Sequence, residues 1–260
     1  VHPRQVGSVS AAQGKAHDGK PSWTMSPIVV TARTDGYTAT STRAATRTDT
    51  PLIQVPQSVQ VLTRDLIEEQ DRRTLADALV NVSGVVPNRP EEGLFAEPIV
   101  RGFPAEIYQD GLPMYGAARA ANDPASLVGV ARIDVLKGPT STLYGGGVGS
   151  PLGGLINIES ERPDGTPGGY VAMRGGSFST VNPYGEVNVP LTSAIAARVA
   201  AEYQSNDSWI DRVKGKRTFV QPSIAFQLGP RTDLLLQGQY SRRSQVEYSG
   251  LPAAPALHGR

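Results

Sequence analysis

The chain has 260 residues, and its 25 basic side chains nearly balance 24 acidic ones, for a net charge of +1. That balance excludes the basic footprint that nucleic-acid binding needs, and the lack of cysteine excludes a disulfide framework or a cysteine metal site. The 28 glycines and 21 prolines, about a fifth of the chain, favour β structure and turns over a compact helical protein.

The chain opens on "VHPRQVGSVS", without Met or an apolar core segment, so a mature or truncated start is expected. No apolar run of about 18 residues occurs, so no transmembrane helix is predicted. Residues 1–50 are rich in Ser, Thr, Gly and Ala and are predicted to be a flexible lead. One pentapeptide in it, Ile28-Val29-Val30-Thr31-Ala32, reads as a strand. A lone strand can neither bury its faces nor pair its backbone, so it needs a distant partner or another protein.

From Pro51 the pattern changes to that of an α+β domain reaching about residue 163. "QSVQVLT" alternates as a strand. Two short helices follow, one capped by Thr63 and one by Thr74, with Asp77 three residues on as in a capping box. Leu75, Leu79 and Val82 share a face, and Gly84 stops the helix. Short strands then alternate with turns: "PIVRG", "EIYQDG", "RIDVLKG" and "LINIESE".

After Pro163 helical signals vanish. Ala197, Val199, Ala201 and Tyr203 fall on one face of a strand, with Arg198, Glu202 and Gln204 on the other. Thr218, Val220, Ile224, Phe226 and Leu228 oppose Arg217, Gln221, Ser223 and Gln227. Leu234, Leu236 and Tyr240 oppose Asp233, Gln237 and Gln239. Segments of about ten residues, split by turns, fit the strands of a transmembrane β-barrel. A soluble sandwich with one wet face fits the same alternation.

No motif points to catalysis. The six glycines between Gly145 and Gly154 contain no Gly-Lys-Ser/Thr for a P-loop, and after Gly147 and Gly149 Leu152 stands where a dinucleotide fingerprint needs glycine. His2, His17 and His258 lack metal-ligand spacing. Ser141 and Ser150 have no histidine partner for nucleophilic chemistry. The reading is a non-enzyme without cofactor or metal site.

Taken in order, "PQSVQVLTRDLIEEQDRRTLADALVNVSGV", "IVRGF", "YQDGLP", "RIDVLKGPTSTLYG" and "GGLINIESERP" resemble the plug domain of TonB-dependent outer-membrane receptors, closest to the siderophore branch. Ahead of them Ser26, Pro27, Ile28, Val29, Val30, Thr31 and Ala32 resemble a TonB box. Two departures stand out. Ser26-Pro27 replaces the acidic-Thr lead-in, and Lys137-Gly138-Pro139 replaces the arginine form, keeping charge but losing the bidentate fork.

The resemblance implies a 22-stranded barrel plugged by residues 51–163, with residues 164–260 supplying its first, incomplete set of antiparallel strands. An open barrel edge is untenable in lipid, so this sequence is expected to be the N-terminal part of a longer receptor. It implies active import of ferric siderophores across the bacterial outer membrane, with iron carried by the ligand. The resemblance further implies an N-terminus in the periplasm, where TonB, working with ExbB and ExbD, is expected to pair with the box by strand addition. Ligand-contact candidates are Glu106, Tyr108, Tyr115 and Arg119, offering hydrogen bonds, ring faces and a positive charge. The resemblance matches Arg101 and Lys137 to plug cations that meet acidic residues on the barrel wall; Arg132 is a third candidate, with a solvated strand residue as the alternative. The alternatives are a soluble periplasmic or surface interaction module with a β-sandwich, and a receptor of this class for another ligand such as cobalamin. A sensor form would need a signalling domain ahead of residue 1.

Overall fold

The computed structural model describes residues 36–87, 95–96, 98–114, 121–122, 126–140 and 152–246. Residues 26–32, the candidates Tyr115 and Arg119, and most of the glycine run lie outside the described residues.

The first strands are β1 (Ser41–Thr42), β2 (Thr50–Pro51) and β3 (Ser58–Thr63). Helices α1 (Arg64–Glu69) and α2 (Leu75–Leu79) follow. Then come β4 (Val85–Val86), β5 (Phe95–Ala96), β6 (Ile99–Val100), β7 (Phe103–Pro104), β8 (Glu106–Gln109), β9 (Leu112–Pro113), β10 (Ala121–Asn122), β11 (Val130–Lys137) and β12 (Gly154–Ser160). The helix caps are those the sequence predicts. Thr63 accepts from the Leu66 N–H, and Thr74 with Asp77 forms a reciprocal capping box.

The main sheet of this first domain has the order β3-β11-β12-β8-β9, with β8 parallel to β12. Its central strands are buried on both faces, so each face needs a cover. On one face Ile67, Leu75, Leu79 and Val82 pack over Ile133, Val135, Ile156 and Ile158. The other face holds Tyr108, Leu136 and Leu155, and its cover is Ala44 and Ala45 with Val55 and Val59.

That second cover corrects the reading of residues 1–50 as a flexible lead. Residues 36–50 fold onto the domain, with β1 paired to β2 and Thr42 fully buried. Low-polarity contacts are few in this segment, so periodicity carried no signal. It is placed by a hydrogen bond from Thr42 Oγ1 to Asp134 Oδ1, 3.0 Å, across 92 residues of sequence.

After residue 163 the strands β13 (Gly168–Gly176), β14 (Thr180–Thr192), β15 (Ile195–Asp207), β16 (Lys214–Gly229), β17 (Thr232–Gln237) and β18 (Tyr240–Gln245) form one antiparallel meander. β17 and β18 keep a single register against β16, with Gln237 opposite Ser223 and Tyr240 opposite Val220. The gap falls opposite Pro222: Gly238 N–H donates to the Pro222 carbonyl, and proline has no N–H to return. Five physical strands therefore make the sheet. It is curved around the first domain rather than stacked as a sandwich. Among the described residues it does not close, since β13 pairs only with β14 and the β17–β18 strand only with β16.

The polarity of this sheet is inverted relative to a soluble protein. Val171, Met173, Val187, Val199, Leu234, Leu236 and Tyr240 are exposed, while Asn182, Asn188, Glu202, Arg217 and Gln221 are buried. The buried face is turned to the first domain, and the outer face is an apolar band.

Candidate functional site

The polar inner wall meets the first domain along a seam built of charge and hydrogen bonds. Its central member is Arg64, the first residue of α1. Its guanidinium reaches Glu186 on β14 at 2.5 Å, Glu68 one helical turn on at 2.6 Å and Glu161 at 3.7 Å. Glu186 is also paired with Arg198 of β15 at 2.6 Å. Burial works against the charge of Arg64, but Glu186, Glu68 and Glu161 together more than offset it, so its pKa stays above the ordinary arginine value.

A second group surrounds Glu202 on β15. It accepts from Arg217 at 2.8 Å and Asn182 at 2.9 Å, and from the Ser126 hydroxyl of the first domain. On β13, Arg174 pairs with Asp71 of the α1–α2 turn and lies 3.6 Å over the Tyr184 ring. Further along, Gln221 donates to Ser160 Oγ at 3.1 Å and Gln237 to Asp110 Oδ2 at 3.0 Å. Backbones also close in at this seam. A Cβ on Gly129, whose φ is +78°, would sit 2.7 Å from the Ala200 Cβ. Glycine is therefore required on both conformational and steric grounds.

A cavity of about 260 Å³ lies in the same seam, lined by Ile67, Arg72, Leu127, Tyr170, Arg174 and Tyr184 among others.

The residues singled out in the sequence are placed differently. Arg101 and Gly102 form the two-residue turn between β6 and β7, with φ of 51° and 87°. Asp110 and Gly111 do the same between β8 and β9, with φ of 51° and 79°. Positive φ at both positions is what a type I′ hairpin requires, and an arginine there is strained by about 1 kcal/mol or more. That turn presents Arg101 to solvent.

Lys137 is buried and donates to Gln60 Oε1 at 3.1 Å and Ser83 Oγ at 2.8 Å, both within the first domain. Burial, helped by nearby Arg101, lowers its pKa. Among the described residues Arg132 forms no ion pair with the wall. It pairs with its cross-strand neighbour Glu159 at 2.6 Å and with Asp134 at 3.3 Å. The wall contacts of Arg64, Asp71 and Ser126 were not foreseen. The inward charges Arg198, Glu202 and Arg217 were legible from alternation, but their partners were not.

Of the ligand candidates, Tyr108 is a core residue, only 1% exposed and packed with Ala44, Leu136 and Leu155. Its hydroxyl donates to Glu106 at 3.1 Å. Glu106 is half-buried, and burial raises its pKa while the Tyr108 hydroxyl opposes the rise. Tyr108 is thus a structural residue in this conformation, contrary to the expectation that it meets ligand.

The family described as the TonB-dependent Receptor Plug Domain matches residues 51–150. The ferrioxamine receptor of Yersinia enterocolitica is 31% identical over 87% of this chain, and the alignment covers 32% of that receptor. The metal-pseudopaline receptor CntO of Pseudomonas aeruginosa is 33% identical over 86% of the chain and 31% of its own length. The chain thus spans about a third of the length of the curated relatives it matches. Among solved structures, P. aeruginosa FpvA bound to a heterologous pyoverdine and iron superposes with a TM-score of 0.70 at 26% identity. That likeness covers 79% of this chain and 28% of FpvA. The ferric-catecholate import receptor Fiu of E. coli gives 0.65 at 28% identity, over 75% and 28% of the two chains. Residues 51–150 belong to the TonB-dependent Receptor Plug Domain family, and with the antiparallel wall packed on them, polar inside and apolar outside, the chain is similar to the plug and adjoining barrel strands of TonB-dependent receptors.

Proposed function

We propose that the receptor containing these residues imports ferric siderophores across the bacterial outer membrane, with the plug gating the barrel lumen. The observation that carries this reading is the plug–wall seam. A domain held inside a barrel by ion pairs and hydrogen bonds, rather than by an apolar interface, can be both retained and moved. The relatives named for ferrioxamine, metal-pseudopaline and pyoverdine support a siderophore as the cargo class.

The closed barrel and the bulk of the ligand site belong to the whole receptor. The apolar outer band of β13–β18 supports contact with outer-membrane lipid. Among the described residues Lys137 bonds to the neutral Gln60 and Ser83, and Arg101 faces outward beside it. This supports the resemblance-based expectation that acidic wall residues outside these 260 meet the two cations. The same cannot be said for Arg132, whose charge is already matched. Glu106 remains a ligand candidate together with Tyr115 and Arg119.

Residues 26–32 act as the TonB box. Placed in the periplasm ahead of the docked segment 36–51, they are offered to TonB by strand addition, and ExbB and ExbD supply proton-motive force. Val30→Pro in the full-length receptor tests this. Proline removes a ladder donor, so ligand binding is retained and uptake is lost. Normal uptake would overturn the strand-addition reading.

A further inference from the structure

We propose that Arg64 is a positioning residue that fixes where plug rearrangement stops: residues 36–63 are released as a unit when the N-terminus is pulled, and the chain from Arg64 onward stays on the barrel wall. The inference rests on the reading that TonB pulls on residues 26–32.

The argument is the order in which constraints meet a pull travelling along the chain. The constraints on residues 36–51 include the short β1–β2 pairing, Thr63 Oγ1 donating to the Gly36 carbonyl at 2.7 Å, the Thr42–Asp134 bond, and the Tyr37 hydroxyl donating to Glu69, an exposed contact that water can replace. Next comes β3, an edge strand whose one ladder among the described residues is to β11. Edge strands detach without disturbing the rest of a sheet, because one ladder is broken and the others remain. The next residue is Arg64, tied to Glu186 of the wall, whose carboxylate Arg198 also holds.

The polar wall contacts of Asp71, Ser126, Asp110 and Ser160 all follow Arg64 in sequence. So does α2, whose Leu75, Ala78 and Leu79 lie in the main core. The mechanical character of the chain therefore changes at one residue. Before it lie a docked flap and an edge strand that reaches the core through Leu62. After it lies the bulk of the core, stitched to the wall. Arg64 reaches Glu68, Glu161 and Glu186 from one planar guanidinium, which a lysine could not do in the same geometry.

The test uses the full-length receptor in cells. These 260 residues contain no cysteine, so a single reporter is the one thiol among them, and the receptor without a reporter is the labelling control. Ala45→Cys and Leu62→Cys report on the segment before Arg64, and Ala78→Cys reports on the core after it; all three sites are buried. Thiol labelling is compared with and without ferric siderophore and proton-motive force.

The expected result is that energised import raises labelling at 45 and 62 by about tenfold or more, as loss of burial requires, and leaves 78 unchanged. Arg64→Gln then lets 78 become labelled during import, while ligand binding by resting cells is unchanged. Glu186→Gln, which cuts the same tie from the wall side without altering the plug sequence, has the same effect, and Arg64→Lys falls between. Labelling of all three sites in the parent receptor, or no change at 78 in both variants, overturns the stop. Import without labelling at 45 or 62 overturns the pulling reading itself, and the stop with it.

Discussion

Thr42→Val is the sharpest test of how the N-terminal segment is held. The substitution keeps side-chain volume and removes one hydroxyl. That hydroxyl donates to Asp134 Oδ1 at 3.0 Å and accepts the Ala44 N–H at 3.1 Å. Asp134 is fully buried, and its other oxygen meets only the Arg132 Nε at 3.3 Å among the described ion pairs. Leaving a buried carboxylate short of a donor costs about 1.5–3 kcal/mol. At 1.4 kcal/mol per factor of ten, residues 40–52 should open about 10–100 times more often. Hydrogen exchange of the full receptor reads this at the amides of Arg47, bonded to the Arg43 carbonyl, and Leu52, bonded to the Thr40 carbonyl. The Ala78 amide in α2 is the internal control. A change below twofold at Arg47 and Leu52 would refute the claim that this buried bond anchors the segment.

The same carboxylate predicts a pH dependence. Burial, reinforced by Glu159 and opposed by Arg132 and Thr42, raises the Asp134 pKa from 3.8 to about 6. A raised acid binds its proton more tightly folded than unfolded, so its contribution to stability grows as pH falls from about 6 towards 4 and is lost as pH rises through that window. The difference in opening between parent and Asp134→Asn should therefore change by up to about 3 kcal/mol between pH 7 and 4; a difference flat with pH, or of opposite sign, would contradict the assignment. Gly129→Ala combines a φ of +78° with a 2.7 Å clash against Ala200, for a cost of at least about 2 kcal/mol. It should lower the melting temperature of the receptor in detergent, and Ala200→Gly should restore part of the loss by removing the clash but not the strain. Val199→Arg puts a charge on the outward band between Val187 and Pro222. If that band meets lipid, the cost near the midplane is about 2–4 kcal/mol and the heat-modifiable folded form in the outer membrane should drop sharply; assembly equal to the parent would argue against a lipid-facing surface.

Much of this protein was written into local sequence. The helix caps at Thr63 and Thr74, the Asp-Gly and Arg-Gly turns, and the alternation through β15 and β16 each depend on neighbours within a few residues. Such short-range rules also fixed which face of the wall is polar, because period-2 alternation sorts side chains whatever lies opposite. Alternation could not say whether that polar face looked to water or to protein. The tertiary structure decided this, by seating Glu186, Glu202 and Gln221 against the plug. It also decided the fate of the charges. Arg132 and Glu159 are 27 residues apart, and register alone makes them neighbours. Arg64 and Glu186 are 122 apart and meet only because the barrel wall wraps the plug. Residues 36–50 carry no periodic signal, since a segment that covers a sheet with two alanines and one buried threonine has too few apolar positions to show one. Its place is set by what the sheet leaves uncovered, and that is a property of the assembled core rather than of any stretch of chain.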